Sequence, residues 1–225
     1  MHNPPMQTAV ASIAAFVIWL VVRDRRLRRR PGRASIVSPR NCTRIAADGS
    51  VHSLQSAHLE LPRSRLDTLW SPAQLENLGR TYWEFLARAT LGVIRVAYGE
   101  QERSVILLVK PLTLLRFDAP DYTLERDHGS LSWAIRDGLL VSRSGRGCGF
   151  LAIRVWREPV VSDPAKLDID VEVANFYPAI AKGLGTPVYR ATQAAVHVLV
   201  THAFLRSLAT LELSESKVGR LRRRG

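Results

Sequence analysis

Four polar residues near the carboxyl end, Arg190, Gln193, His197 and Thr201, stand at spacings of three, four and four. On a helix those spacings place them on one face, one above the other. Val196, Val198, Leu199, Val200, Ala203 and Leu205 surround them, and Phe204 and Leu208 continue the same face. A helix that is apolar nearly all round is a buried helix. A line of polar groups on it needs partners, because an unpaired buried polar group costs about 1–3 kcal/mol. Those partners are either a ligand head group or sheet side chains and buried water. An imidazole in that line can donate, accept or take up a proton near neutral pH, so His197 is the candidate base if the chain is an enzyme.

Other constellations carry less. His202 follows His197 by five residues, about 140° round a helix, so the two do not pair on one face as metal-binding i, i+4 histidines do. Cys42 and Cys148 have no CxxC spacing and no His-rich partner cluster. They read as reduced thiols, and neither a metal nor a cofactor is implied. Ser144–Gly149 reads SGRGCG, but the strand-like FLAIRVW follows it. A phosphate loop must open a helix to bring its amides to an anion. The segment is therefore read as a hairpin tip, with Arg143 and Arg146 as possible lid or head-group contacts. Asn175–Pro178 is an aromatic loop. Its Tyr177 is a candidate ligand contact at a cavity mouth, set against simple packing at a bend. Trp133 is a further candidate, as cavity lining or core. No nucleophile elbow, P-loop or dinucleotide fingerprint is present. That disfavours the common enzyme classes and leaves open an acid–base enzyme whose residues meet only in the fold.

These candidates must be held by elements. Val51–Leu61 alternates and reads as a strand ended by Pro62. Arg63–Trp70 has Leu66, Leu69 and Trp70 at helical spacing. Ser71 stands as an N-cap before Pro72, and Leu75, Leu78, Tyr82, Phe85, Leu86 and Ala89 keep helical spacing over Pro72–Thr90. After Gly92 the period changes. Runs rich in Val, Ile, Leu and aromatics follow at Val93–Tyr98, Ser104–Val109, Leu112–Phe117, Tyr122–Arg126, Ser130–Ile135, Leu139–Arg143, Phe150–Trp156 and Lys166–Val173. Turn dipeptides such as Asp137-Gly138 separate them, as in an antiparallel meander. A long helix is expected over Val188–Leu208. The fold class is therefore α+β, with six to eight antiparallel strands curved around a long C-terminal helix and a cavity between them.

Charge places the domain. The chain has 225 residues, with 32 Lys+Arg against 20 Asp+Glu, a formal net charge of +12. Arg23 to Arg33 nets +6 and Lys217 to Gly225 nets +5, so the body between them is nearly neutral. A nucleic-acid-binding domain carries its basic patch on the folded surface, so no specific nucleic-acid partner is expected. Asn3 to Val22 has no charged side chain, and Thr8–Val22 is apolar or small throughout. With Met6 and Gln7 that stretch reaches the low end of what crosses a bilayer. The leader has no Lys or Arg and no small-residue cleavage site follows, which argues against a signal peptide. The positive-inside rule then gives a single-pass anchor with the amino terminus outside and the main domain cytoplasmic. Trp19 is the expected interfacial aromatic. Arg23, Arg25, Arg26, Arg28, Arg29 and Arg30 are the expected contacts to anionic headgroups, at about 1 kcal/mol each near the surface. The resulting division is 1–22 transmembrane anchor, 23–50 basic linker, 51–213 α+β domain and 214–225 basic tail. No particular protein partner is indicated.

The element order resembles that of the START-like, polyketide-cyclase-like superfamily, whose helix-grip fold wraps an antiparallel sheet around a C-terminal helix. HLELPRSRLDTLW carries the opening strand and short helix, DIDVEVANFYP a late strand, and VYRATQAAVHVLVTHAFLRSLATL the closing helix. The helix Pro72–Thr90 departs from the pattern by being longer than the paired short helices usual there. The resemblance implies a cavity for a hydrophobic or amphipathic small molecule or lipid. Arg190, Gln193, His197, Thr201, Trp133 and Tyr177 are then the expected ligand contacts. The alternatives are a membrane-tethered interaction module without ligand and a small cyclase- or isomerase-like enzyme. A cavity of at least about 300 Å³ beneath the last helix separates the ligand reading from the module reading.

Overall fold

The computed structural model describes residues 32–37, 43–90, 92–99, 101–107, 112–159, 162–179, 195–210 and 213. The apolar stretch 1–22 with Trp19, the arginines from Arg23 to Arg30, Arg190, Gln193 and the tail 214–225 lie outside the described residues. Among the described residues no helix is long and apolar enough to cross a membrane.

The strands are β1 (Arg33–Ile36), β2 (Thr43–Ile45), β3 (Val51–Leu61), β4 (Ile94–Tyr98), β5 (Glu102–Leu107), β6 (Thr113–Asp118), β7 (Asp121–Leu124), β8 (His128–Asp137), β9 (Gly149–Arg157) and β10 (Ala165–Phe176). The helices are α1 (Arg63–Leu69), α2 (Pro72–Ala89) and α3 (Ala195–Ser207), the last continued by a 3₁₀ turn over Leu208–Thr210. All the strand pairings are antiparallel. The sheet runs β1-β3-β10-β9-β8-β6-β5-β4, with β2 also on β3 and β7 also on β8. The opening strand of the meander, β3, therefore pairs with its closing strand, β10.

Alternation explains which face is inside. In β10 the side chains of Ala165, Leu167, Ile169 and Val171 are buried, and the intervening Lys166 and Asp168 are exposed. On β3 the inward positions change character along the strand. Ser53 and Gln55 are buried polar residues, whereas Ala57, Leu59 and Leu61 are buried apolar ones. On the outer face, the His52 Nε2–H donates to the Glu172 carboxylate at 2.8 Å, and Arg154 donates to the other carboxylate oxygen. Burial acts to raise the Glu172 carboxyl, but the His52 and Arg154 hydrogen bonds outweigh it and hold the group below its ordinary value.

The expected elements form, with three differences. The segment read as linker contributes β1 and β2, both paired with β3, and the Gly32 amide donates to the Ala209 carbonyl at 3.0 Å. Short edge strands of this kind lack the length for a periodic signal. Leu139–Arg143, read as a strand, is a turn followed by a single bridge from Val141 to Pro178. Gly138 sits at φ +142°, where a Cβ would meet the Leu114 carbonyl oxygen at 2.2 Å, and this bend diverts the chain off the sheet. Third, the C-terminal helix does not cover the sheet alone. α3 packs on β1, β3 and α2, while α2 lies against β8 and β4.

The Ser71 hydroxyl caps α2 by accepting from the Gln74 amide at 3.3 Å, and Pro72 opens its first turn. Leu75, Leu78, Tyr82 and Trp83 form its buried stripe. Gly79 lets α2 approach the sheet, since a Cβ there would stand 2.3 Å from Leu131 Cδ2 and 3.0 Å from the Trp133 ring. Tyr82 meets Phe204 edge-on at 5.3 Å, which joins α2 to α3.

Candidate functional site

An apolar space lies between α1, the first turns of α2, the sheet and the end of the C-terminal helix. Leu59 and Leu61 of β3, Leu66 of α1, Leu75 of α2, Leu167 of β10 and Leu208 supply its principal walls. Its volume is about 70 Å³, and Ser71 and Gln74 are the polar residues among the described lining. No ionisable side chain lines it among the described residues. The sequence makes this wall because the apolar half of β3 runs straight into Pro62 and α1. Leu66 then folds back over Leu59 and Leu61 in the same core.

One margin of the cavity is polar. The Trp70 indole donates to the Glu125 carbonyl at 3.0 Å, and the Arg157 guanidinium stacks 4.7 Å above the Trp70 ring. Arg157 also reaches Asp127 at 3.3 Å and Asp67 at 3.8 Å. These contacts hold the end of α1 to the turn between β7 and β8. α1 itself has no side-chain cap. An apolar space with a charged margin is chemically suited to an apolar group bearing a polar end.

A second, polar cluster lies where β3 meets α3. The His202 Nε2–H donates to Gln55 Oε1 at 2.6 Å, the Gln55 amide reaches Ser53 at 3.4 Å, and Ser53 meets Thr43 at 2.9 Å. Burial, and then the nearby Arg206 charge, push the His202 imidazole below its ordinary value. Thr201 is fully buried and its Oγ1 makes no hydrogen bond. It lies near enough to the Tyr82 phenol to favour the phenolate slightly without bonding geometry. Burial dominates there and drives Tyr82 up to about 12.

Of the expected ligand contacts, the structure describes the side chains of Thr201, Trp133 and Tyr177. Arg190 and Gln193 lie outside the described residues, and His197 is placed on α3 with its side chain outside them. Thr201 and Trp133 are in the core and away from the apolar cavity. Tyr177 donates to the Asp48 carboxylate at 2.9 Å and packs on Gly145, so it fastens one loop to another. The Ser144–Gly149 segment closes the β8–β9 connection, as a hairpin tip does. Among the described residues no group of three His, Cys, Asp or Glu side chains could hold a metal ion. Sequence reasoning gave Leu66, Trp70 and Arg157 no role. Leu66 and Trp70 were visible as helical apolar positions, but nothing local says that Arg157 stacks on Trp70 from a distant strand.

No family model matches the chain, and no curated protein matches it in sequence. Several solved structures are similar in arrangement. Human StAR-related lipid transfer protein 5 is 13% identical, with a TM-score of 0.36 over 91% of this chain and 98% of that one. Norcoclaurine synthase from Thalictrum flavum is 12% identical, with a TM-score of 0.31 over 80% and 97%. A conserved protein from Geobacillus kaustophilus is 12% identical, with a TM-score of 0.34 over 70% and 95%. The described residues form an α+β fold with an antiparallel sheet and a C-terminal helix.

Proposed function

We propose that this domain binds a hydrophobic or amphipathic small molecule or lipid in the apolar cavity under α1. The observation that carries this reading is the cavity itself, walled by leucines from several separate elements and lacking any described ionisable side chain. At about 70 Å³ it admits only part of a ligand, against about 300 Å³ or more for a typical small-molecule site. Binding therefore requires α1 to swing outward, breaking the Trp70–Glu125 and Arg157–Asp67 contacts, and Arg157 would then meet the ligand's polar end. We further place the domain at the cytoplasmic face of a membrane. The apolar stretch 1–22 would cross once, and Arg23 to Arg30 would lie on anionic headgroups.

The small volume also favours a second reading, a membrane-tethered interaction module with a filled core. Catalysis in this cavity has no described acid or base to perform it.

Native mass spectrometry with lipid extraction on the full chain in a mild detergent separates the two readings. The expected result is a reproducible apolar species that co-purifies with the wild type and is lost from Leu66→Trp, whose circular dichroism is unchanged. A clean unliganded mass, with no binding across a panel of amphiphiles, would leave the interaction module as the better reading.

A further inference from the structure

On the other side of α2 a small cavity of about 20 Å³ is walled by Glu76, Gly79, Arg80, Trp83, Tyr98 and Arg103, with Pro120, Leu131 and Trp133 completing it. Three of these residues each bring a buried N–H with no acceptor: Arg80 Nη1, Trp83 Nε1 and Trp133 Nε1. Trp83 and Trp133 are 2% exposed and Arg80 is 9% exposed. A native fold leaves few such groups, and each costs about 1–3 kcal/mol when it has no partner. Three orphaned donors around one cavity are an unfilled demand for acceptors.

The charge has the same sense. The Arg80 guanidinium lies 3.8 Å from the Tyr98 ring centroid and the Arg103 guanidinium 5.3 Å from it. Arg80 Nε donates to Glu84 at 2.9 Å, but Glu84 also serves Arg88 at 3.2 Å. Arg103 Nη1 is turned to the Gly99 and Glu102 carbonyls, which close the β4–β5 hairpin. Glu76 is the carboxylate on the cavity wall, and its charge acts on Arg103. Tyr98, driven up to about 12 chiefly by burial, stays neutral. A single water fits in about 10–15 Å³, but it accepts only two hydrogen bonds and brings two donors of its own into a donor-rich place.

We propose that this niche binds a small monovalent anion, either a carboxylate head or a halide, between the Arg80 guanidinium and the Trp83 and Trp133 indoles. The site is separate from the apolar cavity and does not depend on its having a ligand. The volume excludes a phosphate or sulfate, whose four oxygens need more room. The anion would satisfy the three donors together.

The test is a titration of the full chain, labelled with ¹⁵N-tryptophan, by sodium formate at constant pH and ionic strength. Indole N–H signals are assigned with Trp83→Phe and Trp133→Phe. The expected result is a saturable shift of the Trp83 and Trp133 signals, with Trp70, already bonded to Glu125, unmoved. Arg103→Gln should fold and weaken the response several-fold by removing one of the two cations. A chloride arm identifies the source: a response to formate alone means a carboxylate site, and a response to both means a halide-type site. Formamide is the neutral control. An equal response to formamide, or shifts that grow linearly with Trp70 moving alongside, would overturn the proposal.

Discussion

Gly79 shows how one missing Cβ positions a helix. Alanine there gains helix propensity of about 1 kcal/mol over glycine. It also places a methyl group 2.3 Å from Leu131 and 3.0 Å from Trp133, both in the core. Overpacking of that kind costs about 1–3 kcal/mol, so the clash wins. Gly79→Ala should lower stability by up to about 2 kcal/mol on balance, read as a lower denaturation midpoint with unchanged slope. His202 supplies a second expectation. Its imidazole is held below its ordinary value by burial and then by Arg206, so the folded state binds fewer protons than the unfolded chain. Stability contributed at neutral pH is therefore lost as pH falls below about 6.5, and the loss is complete below the folded value. Urea titrations from pH 8 to pH 5 should show this decline in the wild type and a flatter profile in His202→Leu. That variant should be less stable at pH 8, because the buried Gln55 carbonyl loses its donor, at about 1–3 kcal/mol. Helical spacing drew attention to His197 and set His202 aside. The partner that gives His202 its place, Gln55, is 147 residues away, and no periodicity connects them.

Two element junctions govern the shape of the apolar cavity. Phe204 is fully buried and meets Tyr82 at 5.3 Å and Phe85 at 6.4 Å, so it is the main link between α2 and α3. Phe204→Ala should cost about 3–5 kcal/mol. Thermal unfolding would test whether that loss is cooperative across both helices. Leu66 is the α1 residue buried against the sheet. Leu66→Ala should cost about 2–5 kcal/mol and enlarge the apolar space, so a small hydrocarbon probe should bind more tightly than to wild type. Unchanged affinity would mean that α1 collapses into the gap. At this scale much was legible: β3 and α2 begin where the sequence places them, because alternation, Pro62, Ser71 and Pro72 are strong local signals. The division of labour between α2 and α3 was not legible. Both helices are apolar enough to cover a sheet, and only packing decides that α2 lies against β8.

At the scale of the whole molecule the charge is concentrated outside the described body. If Arg23 to Arg30 bind headgroups, replacing these arginines with Gln should sharply reduce association of a 23–225 chain with vesicles containing phosphatidylserine. Raising salt should have the same effect, since surface attraction is screened within a Debye length of about 10 Å at 0.1 M. No change would remove the lipid role from this segment. The strand order was beyond local patterning for a related reason. β1 and β2 are too short to announce themselves, and the pairing of β3 with β10 joins residues 110 positions apart, as His58 does with Asp168.

That last pairing sets a timetable during synthesis. β3 leaves the ribosome with its inner row of Ala57, Leu59 and Leu61 already made, but its long-range partner has yet to be translated. At about 5–20 residues per second the wait is roughly 5–20 s. For that interval the nascent chain holds an apolar strand with one long edge unpaired, since β1 and β2 can meet only the other edge, and such an edge is the kind of surface a chaperone recognises. Any pause in translation before Ala165 would prolong it.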